Sequence, residues 1–93
     1  MFERILKRMQ DKVRTGQYVM TLHAEEEMND DELTVFDVEH GILTGEIIER
    51  QKDQATSEWK YLVRGQTFAG DSVVMAVKLS FTDKLVIITL YVE

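Results

Sequence analysis

The segment Leu85-Val86-Ile87-Ile88-Thr89-Leu90-Tyr91-Val92 is apolar at nearly every position. Its β-branched and aromatic residues predict a β-strand, and a strand that is apolar on both faces belongs inside a sheet or under a covering layer. At the edge of a sheet, such a strand would promote aggregation. We therefore expect its outer side to be paired, either by Tyr18–Met20 of the same chain or by a second subunit.

Three further strands are predicted ahead of this segment. The first lies at about Glu46–Lys52 and has isoleucines at its centre. The second lies at about residues 58–67, where Trp59, Tyr61 and Val63 alternate with Lys60, Leu62 and Arg64 in the period of two that strands show. The third is Ser72–Leu79, with Val73, Met75, Val77 and Leu79 on one face. Turn-forming residues separate these strands at 68–71 and 81–84. Together with the terminal segment, they predict a four-stranded, mainly antiparallel sheet.

Two or three helices are predicted in the N-terminal half. Apolar residues recur at helical spacing over residues 2–15, and basic residues occupy many of the other positions. Thr21 is a suitable N-cap for a short second helix whose first turn is acidic. Thr34 and Asp37 have the spacing of a capping box, and Gly45 is a suitable end for the third helix.

These elements predict one α+β domain over residues 1–93, because a chain of this length supports a single core. The helical part is expected at residues 1–45 and the sheet at residues 46–93, with the helices packed on the sheet. The chain lacks cysteine, a long apolar run and an apolar signal region near its start. We therefore expect a cytoplasmic protein that does not enter a membrane.

Charge is segregated along the chain. The net charge is -6, but residues 1–20 carry +3, residues 21–49 carry -10 without any Lys or Arg, and residues 50–93 carry +1. An acidic middle repels phosphate backbones, so we expect no DNA binding and no strong non-specific binding of nucleic acid by the whole surface. A local basic patch on the first helix or on the sheet remains open, and the acidic run is expected to be a solvated helix face.

The order of these elements, with His23-Ala24 early in the second helix, resembles a bacterial family of domains of unknown function, the family numbered 4258. The resemblance covers about residues 18–92. The residues that carry it are Thr21, His23, Ala24, Met28, Leu33, Asp37, Val38, Gly45, Glu46, Ile47, Ile48, the run Tyr61-Leu62-Val63-Arg64-Gly65-Gln66-Thr67 and the run Ile88-Thr89-Leu90-Tyr91.

By fold and genomic company, that family is grouped with small ribonuclease toxins of the RelE-like and colicin-like type. The resemblance therefore implies a RelE-like twisted antiparallel sheet with helices on one face, and metal-independent endoribonuclease chemistry on RNA. A shared fold does not by itself confer a shared reaction.

This chain departs from the family motif at one position beside the histidine. The motif often reads His-Ala-x-x-Arg-Met, whereas this chain has Glu27 in place of the arginine. One helical turn places Glu27 on the same side as His23. Since an arginine can hold a phosphate and a glutamate repels it, the departure leaves open an active or a degenerate ribonuclease relative.

Three residues form the candidate catalytic set implied by this resemblance. His23 would transfer the proton of a 2′-hydroxyl, Arg64 would hold the phosphate and Tyr91 would position RNA. Each has a structural alternative. The imidazole can bond a backbone carbonyl or lie near Glu27, the guanidinium can pair with an acid on a neighbouring strand, and the tyrosine ring can pack across strands.

A metal ion or another cofactor is not expected. The two histidines, His23 and His40, do not have the spacing of metal ligands on one element, and the chain has no glycine-rich phosphate loop. The alternative to a ribonuclease is a non-catalytic protein–protein interaction domain. We expect such a domain to be homodimeric, with contacts through a sheet edge or the region of Trp59.

Overall fold

The computed structural model describes all of residues 1–93, which form three helices and five strands. In chain order these are α1 (Glu3–Arg14), β1 (Tyr18–Met20), α2 (Leu22–Asp30), α3 (Val35–Leu43), β2 (Glu46–Lys52), β3 (Trp59–Gln66), β4 (Ser72–Leu79) and β5 (Leu85–Val92). The expected α+β class is confirmed, and one sheet runs in the order β1-β5-β4-β3-β2.

The sheet has one strand more than the four that were expected, and one of its four strand pairs is parallel. β1 pairs with β5 in parallel, with Tyr18 opposite Leu85 and Met20 opposite Ile87, while the β2–β3, β3–β4 and β4–β5 pairs are antiparallel. A strand of three residues is too short to give a readable alternation. Of the two expected partners for the outer side of β5, pairing within the chain is confirmed.

Helices α2 and α3 begin directly after the N-cap residues that the sequence predicted, Thr21 and Thr34. The Thr21 hydroxyl oxygen accepts a hydrogen bond from the Ala24 backbone N–H at 3.1 Å. At α3 the Thr34 hydroxyl accepts from the Asp37 N–H, and the Asp37 carboxylate accepts from the Thr34 N–H at 3.1 Å. Both arrangements satisfy backbone donors that a helix leaves unpaired in its first turn.

The core lies between the helices and one face of the sheet. Every helix contributes buried side chains, and the sheet contributes alternate residues of its central strands. The buried residues that line it are Met9, Val13, Ala24, Val38, Ile42, Tyr61, Val63, Val73, Met75, Val77, Leu85, Ile87 and Leu90. The opposite face of the sheet therefore presents the intervening residues, and no helix covers it.

The register of the strands orders the uncovered face into rows. Tyr91 on β5, Val74 on β4, Arg64 on β3 and Glu46 on β2 stand opposite one another across four strands. Val74 is only 1% exposed although it lies on this face. We attribute its burial to the larger side chains of Tyr91 and Arg64 on either side of it.

Candidate functional site

His23 lies at the second position of α2, with 68% of its side chain exposed. Its Nε2 atom is 3.2 Å from Oε1 of Glu27, one helical turn further on. The imidazole therefore contacts the Glu27 carboxylate, and its Nδ1 atom has no hydrogen-bond partner in the chain. Of the two structural alternatives for His23, the contact with Glu27 is the one that the structure contains.

Glu27 is itself fastened to the outer edge of β5. Its Oε1 accepts from the Thr89 hydroxyl and from the Leu90 backbone N–H at 3.3 Å. The Thr21 hydroxyl donates to the Ile88 carbonyl at 2.7 Å, just past the end of β1. Side chains of α2 and its cap therefore complete the edge of β5 where β1 stops.

These contacts require a hydrogen-bond acceptor at the position of Glu27. An arginine in place of Glu27 has donors only, so it could not accept from the Thr89 hydroxyl or the Leu90 N–H. Sequence reasoning missed the contact, although a signal was present. Thr89 is the only residue with a polar side chain other than tyrosine in β5, and a lone hydroxyl in an apolar strand needs a partner.

Arg64 lies on the uncovered face and is held by Glu93, which follows β5. Its Nε and Nη2 atoms donate to the two carboxylate oxygens of Glu93 at 2.9 and 3.1 Å, and the Ser72 hydroxyl donates to Oε1 of Glu93 at 2.5 Å. The hydrogen bonds from Ser72 and then Arg64 lower the pKa of Glu93 below its usual value, and the hydrogen bond to Glu93 raises the pKa of Arg64. Arg64 therefore stays charged and occupied by a carboxylate.

Tyr91 shares the uncovered face with Arg64, and the two residues flank Val74. The tyrosine side chain is half exposed. A shallow polar groove of about 420 Å³ contains Arg64 but is not lined by Tyr91 or His23. The structure thus brings two of the three candidate residues together on one face, while His23 lies at the outer edge of β5.

The surface around His23 is strongly acidic. Exposed carboxylates follow it along α2 and the next loop, and none of them takes part in an ion pair. We call these residues the acidic surface: Glu25, Glu26, Asp30, Asp31 and Glu32. By contrast, four of the five cations of α1 are paired within the chain, two of them with Asp83. An incoming phosphate would therefore meet repulsion near the imidazole.

Comparison with known protein families assigns the chain to one of them. The family described as Domain of unknown function (DUF4258) matches residues 20–92, from the last residue of β1 to the end of β5. The chain belongs to the DUF4258 family. No curated protein and no solved structure matches it.

Several other side chains of this DUF4258 domain have partners within the chain. Lys78 donates to Glu58 at 3.1 Å, and Tyr61 is buried with its ring edge-on to Phe2. The guanidinium of Arg50 lies 4.2 Å from the centre of the half-exposed Trp59 ring. A cation over an aromatic face gains attraction from the ring quadrupole.

His40 fastens α3 to the end of β3 in the DUF4258 domain. Its Nδ1 donates to the carbonyl of Gln66 at 2.7 Å, and its ring stacks on Phe68 at 4.2 Å. The Gln66 N–H in turn donates to the Thr44 hydroxyl at 3.0 Å. The structure contains no cluster of three or more His, Cys, Asp or Glu side chains that could hold a metal ion. None of its helices is long and apolar enough to cross a bilayer.

Proposed function

We propose that this DUF4258 domain is a non-catalytic protein-interaction domain whose acidic surface binds a basic segment of another protein. The observation that carries the proposal is a set of five exposed carboxylates without any ion pair, in a stretch of 29 residues that contains no Lys or Arg. Unpaired charges of one sign speed encounter with an oppositely charged partner and exclude partners of like charge.

Apolar residues beside the acidic surface support this proposal. Val19 on β1 is 45% exposed, and Leu22 at the start of α2 is 71% exposed. β1 is an edge strand, so its outer backbone groups are free to pair with an added extended segment. Exposed aliphatic anchors, a free strand edge and a carboxylate cluster together suit a cationic peptide with aliphatic side chains.

The state of the candidate catalytic residues also supports a non-catalytic role. The imidazole of His23 contacts the Glu27 carboxylate, the guanidinium of Arg64 donates to Glu93, and the two residues line no common pocket. Catalysis of phosphodiester cleavage needs its proton-transferring and phosphate-binding groups around one reacting atom.

The test measures binding of a fluorescent Lys- and Leu-rich peptide against a Glu- and Leu-rich peptide of the same length, at low and at high salt. We expect binding of the cationic peptide only, and it should weaken as salt is added. The variant Glu26→Lys/Asp30→Lys should lose about tenfold in affinity or more. Its matched control is Glu46→Lys/Glu49→Lys, which makes the same charge change on exposed residues of β2.

Two results would contradict the proposal. One is an equal loss of affinity in both double variants, which would indicate attraction to net charge alone. The other is a failure of the wild-type domain to bind the cationic peptide at low salt.

A metal-independent endoribonuclease of the RelE-like or colicin-like type is the second candidate function. What favours it is the dyad of His23 and Glu27: an anchored carboxylate orients an exposed imidazole and leaves Nδ1 free for proton transfer. Arg64 and Tyr91 on the uncovered face would hold and position RNA. The test incubates the domain with single-stranded and structured RNA in the presence of a chelator. Cleavage must occur and must be lost in His23→Ala, or this candidate fails.

A further inference from the structure

An apolar groove of about 320 Å³ lies between α1, the start of β3 and the β4–β5 turn. We call it the aromatic groove, after its apolar lining: Ile5, Trp59, Tyr61, Leu79 and Phe81. Trp59 is 43% exposed and Phe81 is 97% exposed, so two aromatic side chains here have unburied surface. The volume is at the lower end of the range for small-ligand sites, so the groove has room for one flat aromatic group.

Phe81 is held outward by an ordered turn. The Asp83 N–H donates to the Ser80 carbonyl at 2.9 Å. The carboxylate of Asp83 accepts from Lys12 at 2.8 Å and from Arg8 at 3.0 Å, which fastens the turn to α1. The phenyl ring is therefore presented to a ligand at little further cost in conformational entropy.

Two cations without a carboxylate partner lie on the Trp59 ring. The guanidinium carbon of Arg50 is 4.2 Å from the centre of the ring, and Nζ of Lys52 is 5.7 Å from it. Neither cation takes part in an ion pair. The next carboxylate along the chain, that of Asp53, accepts from the Ala55 N–H in its own loop at 2.9 Å. Since an aromatic face attracts a cation without neutralising it, both groups remain available to an anion.

The ion pairs around the aromatic groove do not cancel this positive charge. Arg8 and Lys12 share the single carboxylate of Asp83. Glu58 lines the groove, but it pairs with Lys78 at 3.1 Å. The groove is therefore a local surplus of positive charge in a protein whose net charge is -6.

The acidic surface is too far away to repel an anion strongly from these cations. It follows α2, which packs beside β5 and β1, whereas Arg50 and Lys52 lie on β2 at the opposite edge of the sheet. Three to four strand spacings separate the two regions, which is roughly 14–19 Å. Exposed charges at that separation are largely screened, because the screening length at physiological salt is about 8 Å.

We propose that the aromatic groove binds a single-stranded nucleic acid, with a base against Phe81 and Trp59 and the neighbouring phosphates beside Arg50 and Lys52. Exposed aromatic rings that stack bases, interleaved with cations that attract phosphates, are the combination that single-strand binding uses. A carboxylate-rich peptide would satisfy the cations but would leave the aromatic rings without a flat partner.

This site is the local basic patch that the charge distribution along the sequence left open. Stacking and charge attraction do not distinguish ribose from deoxyribose, so the occupant is defined by its free bases rather than by its sugar. The bases of a duplex are already stacked and paired, and they cannot enter the groove without being extruded.

The test titrates the whole chain with a mixed-sequence RNA of about twelve nucleotides, either single-stranded or annealed to its complement. The chain has a single tryptophan, Trp59, so quenching of its emission reports on a base in the groove. We expect the single strand to quench with a dissociation constant of roughly 10–100 µM, which rises as salt is added. The duplex should bind about tenfold more weakly or less, and a polyglutamate peptide should not quench at the same concentrations.

Phe81→Ser is the first test variant, and Phe36→Ser is its matched control. Phe36 is 64% exposed on α3 and does not line the aromatic groove. Loss of the exposed ring at residue 81 should weaken binding of the single strand about tenfold, because one stacking contact is removed. The Phe36 variant should bind as the wild type does.

A second pair of variants separates the cations of the groove from the net charge of the protein. Arg50→Gln/Lys52→Gln should weaken binding about tenfold and should reduce its dependence on salt. The control, Lys7→Gln/Arg14→Gln, removes the same charge at positions that do not line the groove and that pair with Asp11. We expect the control to bind nearly as tightly as the wild type.

The proposal stands independently of the basic partner of the acidic surface and of RNA cleavage. Glu26→Lys/Asp30→Lys and His23→Ala should bind the single strand at least as tightly as the wild type. A wild-type protein that is not quenched by the single strand, equal binding of the duplex, or equal losses in a test variant and its control would overturn the proposal. Preferential binding of the polyglutamate peptide would also overturn it and would indicate an acidic protein partner.

Discussion

A Cβ atom on Gly65 of β3 would lie 1.8 Å from the carbonyl oxygen of Gly41 in α3. The backbone of the helix therefore rests directly on the backbone of the strand, with no side chain between them. Cβ atoms essentially never approach a heavy atom within 3.0 Å, so only glycine fits at this point of β3. The close approach sets the depth at which α3 packs, and Val38 and Ile42 reach the core from there.

We expect Gly65→Ala to destabilise the domain by about 3 kcal/mol or more, because helix and strand backbones must separate to admit the methyl group. Gly16→Ala is the control. Its added Cβ meets no atom within 4 Å, and its φ of 70° imposes only local strain. Urea unfolding of both variants provides the measurement, and equal losses would show that α3 does not depend on contact with Gly65.

Glu27→Arg should cost about 1–2 kcal/mol of stability, because it removes the acceptor used by the Thr89 hydroxyl and the Leu90 N–H. Glu27→Gln keeps an acceptor oxygen and should cost less. Amide hydrogen exchange provides a local measurement. The Leu90 amide should lose protection in the arginine variant and keep most of it in the glutamine variant. Unchanged protection in both would contradict the role given to Glu27 at the edge of β5.

Ionisation of Tyr18 should lower the stability of the fold at alkaline pH. Burial, followed by the hydrogen bond to Glu39 at 2.5 Å, raises the pKa of Tyr18 from 10.0 to about 12. The folded chain therefore keeps a proton that the unfolded chain releases near pH 10. The stability associated with this proton is complete below pH 10 and is lost as the pH rises from 10 to about 12.

Tyr18→Phe removes the titrating group and should flatten the decline in stability over this alkaline window. Urea unfolding between about pH 8 and about pH 11.5 compares the two proteins. The two proteins differ only at residue 18, so the difference between their curves reports on Tyr18 alone. Parallel curves for wild type and variant would contradict the assignment to Tyr18.

The contribution of Glu93 to stability should depend on pH in the opposite sense to that of Tyr18. Its pKa is lowered from 4.5 by the Ser72 hydroxyl and the Arg64 guanidinium, so the unfolded chain takes up a proton before the folded chain does. The stability associated with the carboxylate is present above pH 4.5 and is lost as the pH falls through the lowered pKa. Acid unfolding of Glu93→Gln should be less steep over that window. The same slope in both proteins would show that the contact between Arg64 and Glu93 does not stabilise the fold.

Local patterns predicted much of this fold because they depend on neighbouring residues. Thr21 and Thr34 cap helices through atoms three residues away, and the alternation of buried Tyr61 and Val63 with less buried neighbours follows from the pleat of a strand. β1 was identified only as a candidate partner for β5, since three residues show no periodicity. Its parallel orientation depends on the path of the chain through α2 and α3, which no local pattern reports.

The candidate site was less predictable because its contacts join residues that are far apart in sequence. Glu27 meets Thr89 and Leu90 across more than sixty positions, and Arg64 meets Glu93 across 29. Residue types indicated that the imidazole and the guanidinium would find carboxylates, but they did not indicate which ones.

The parallel pairing of β1 with β5 has a consequence for how the protein emerges from the ribosome. Tyr18–Met20 and the cap of α2 can reach their hydrogen-bonding partners only after Leu85–Val92 has been synthesised. Until then, the apolar sides of α1 and α2 that pack on the sheet stay uncovered. Contacts of such long sequence separation also favour slow folding, because long loops must close before these contacts form.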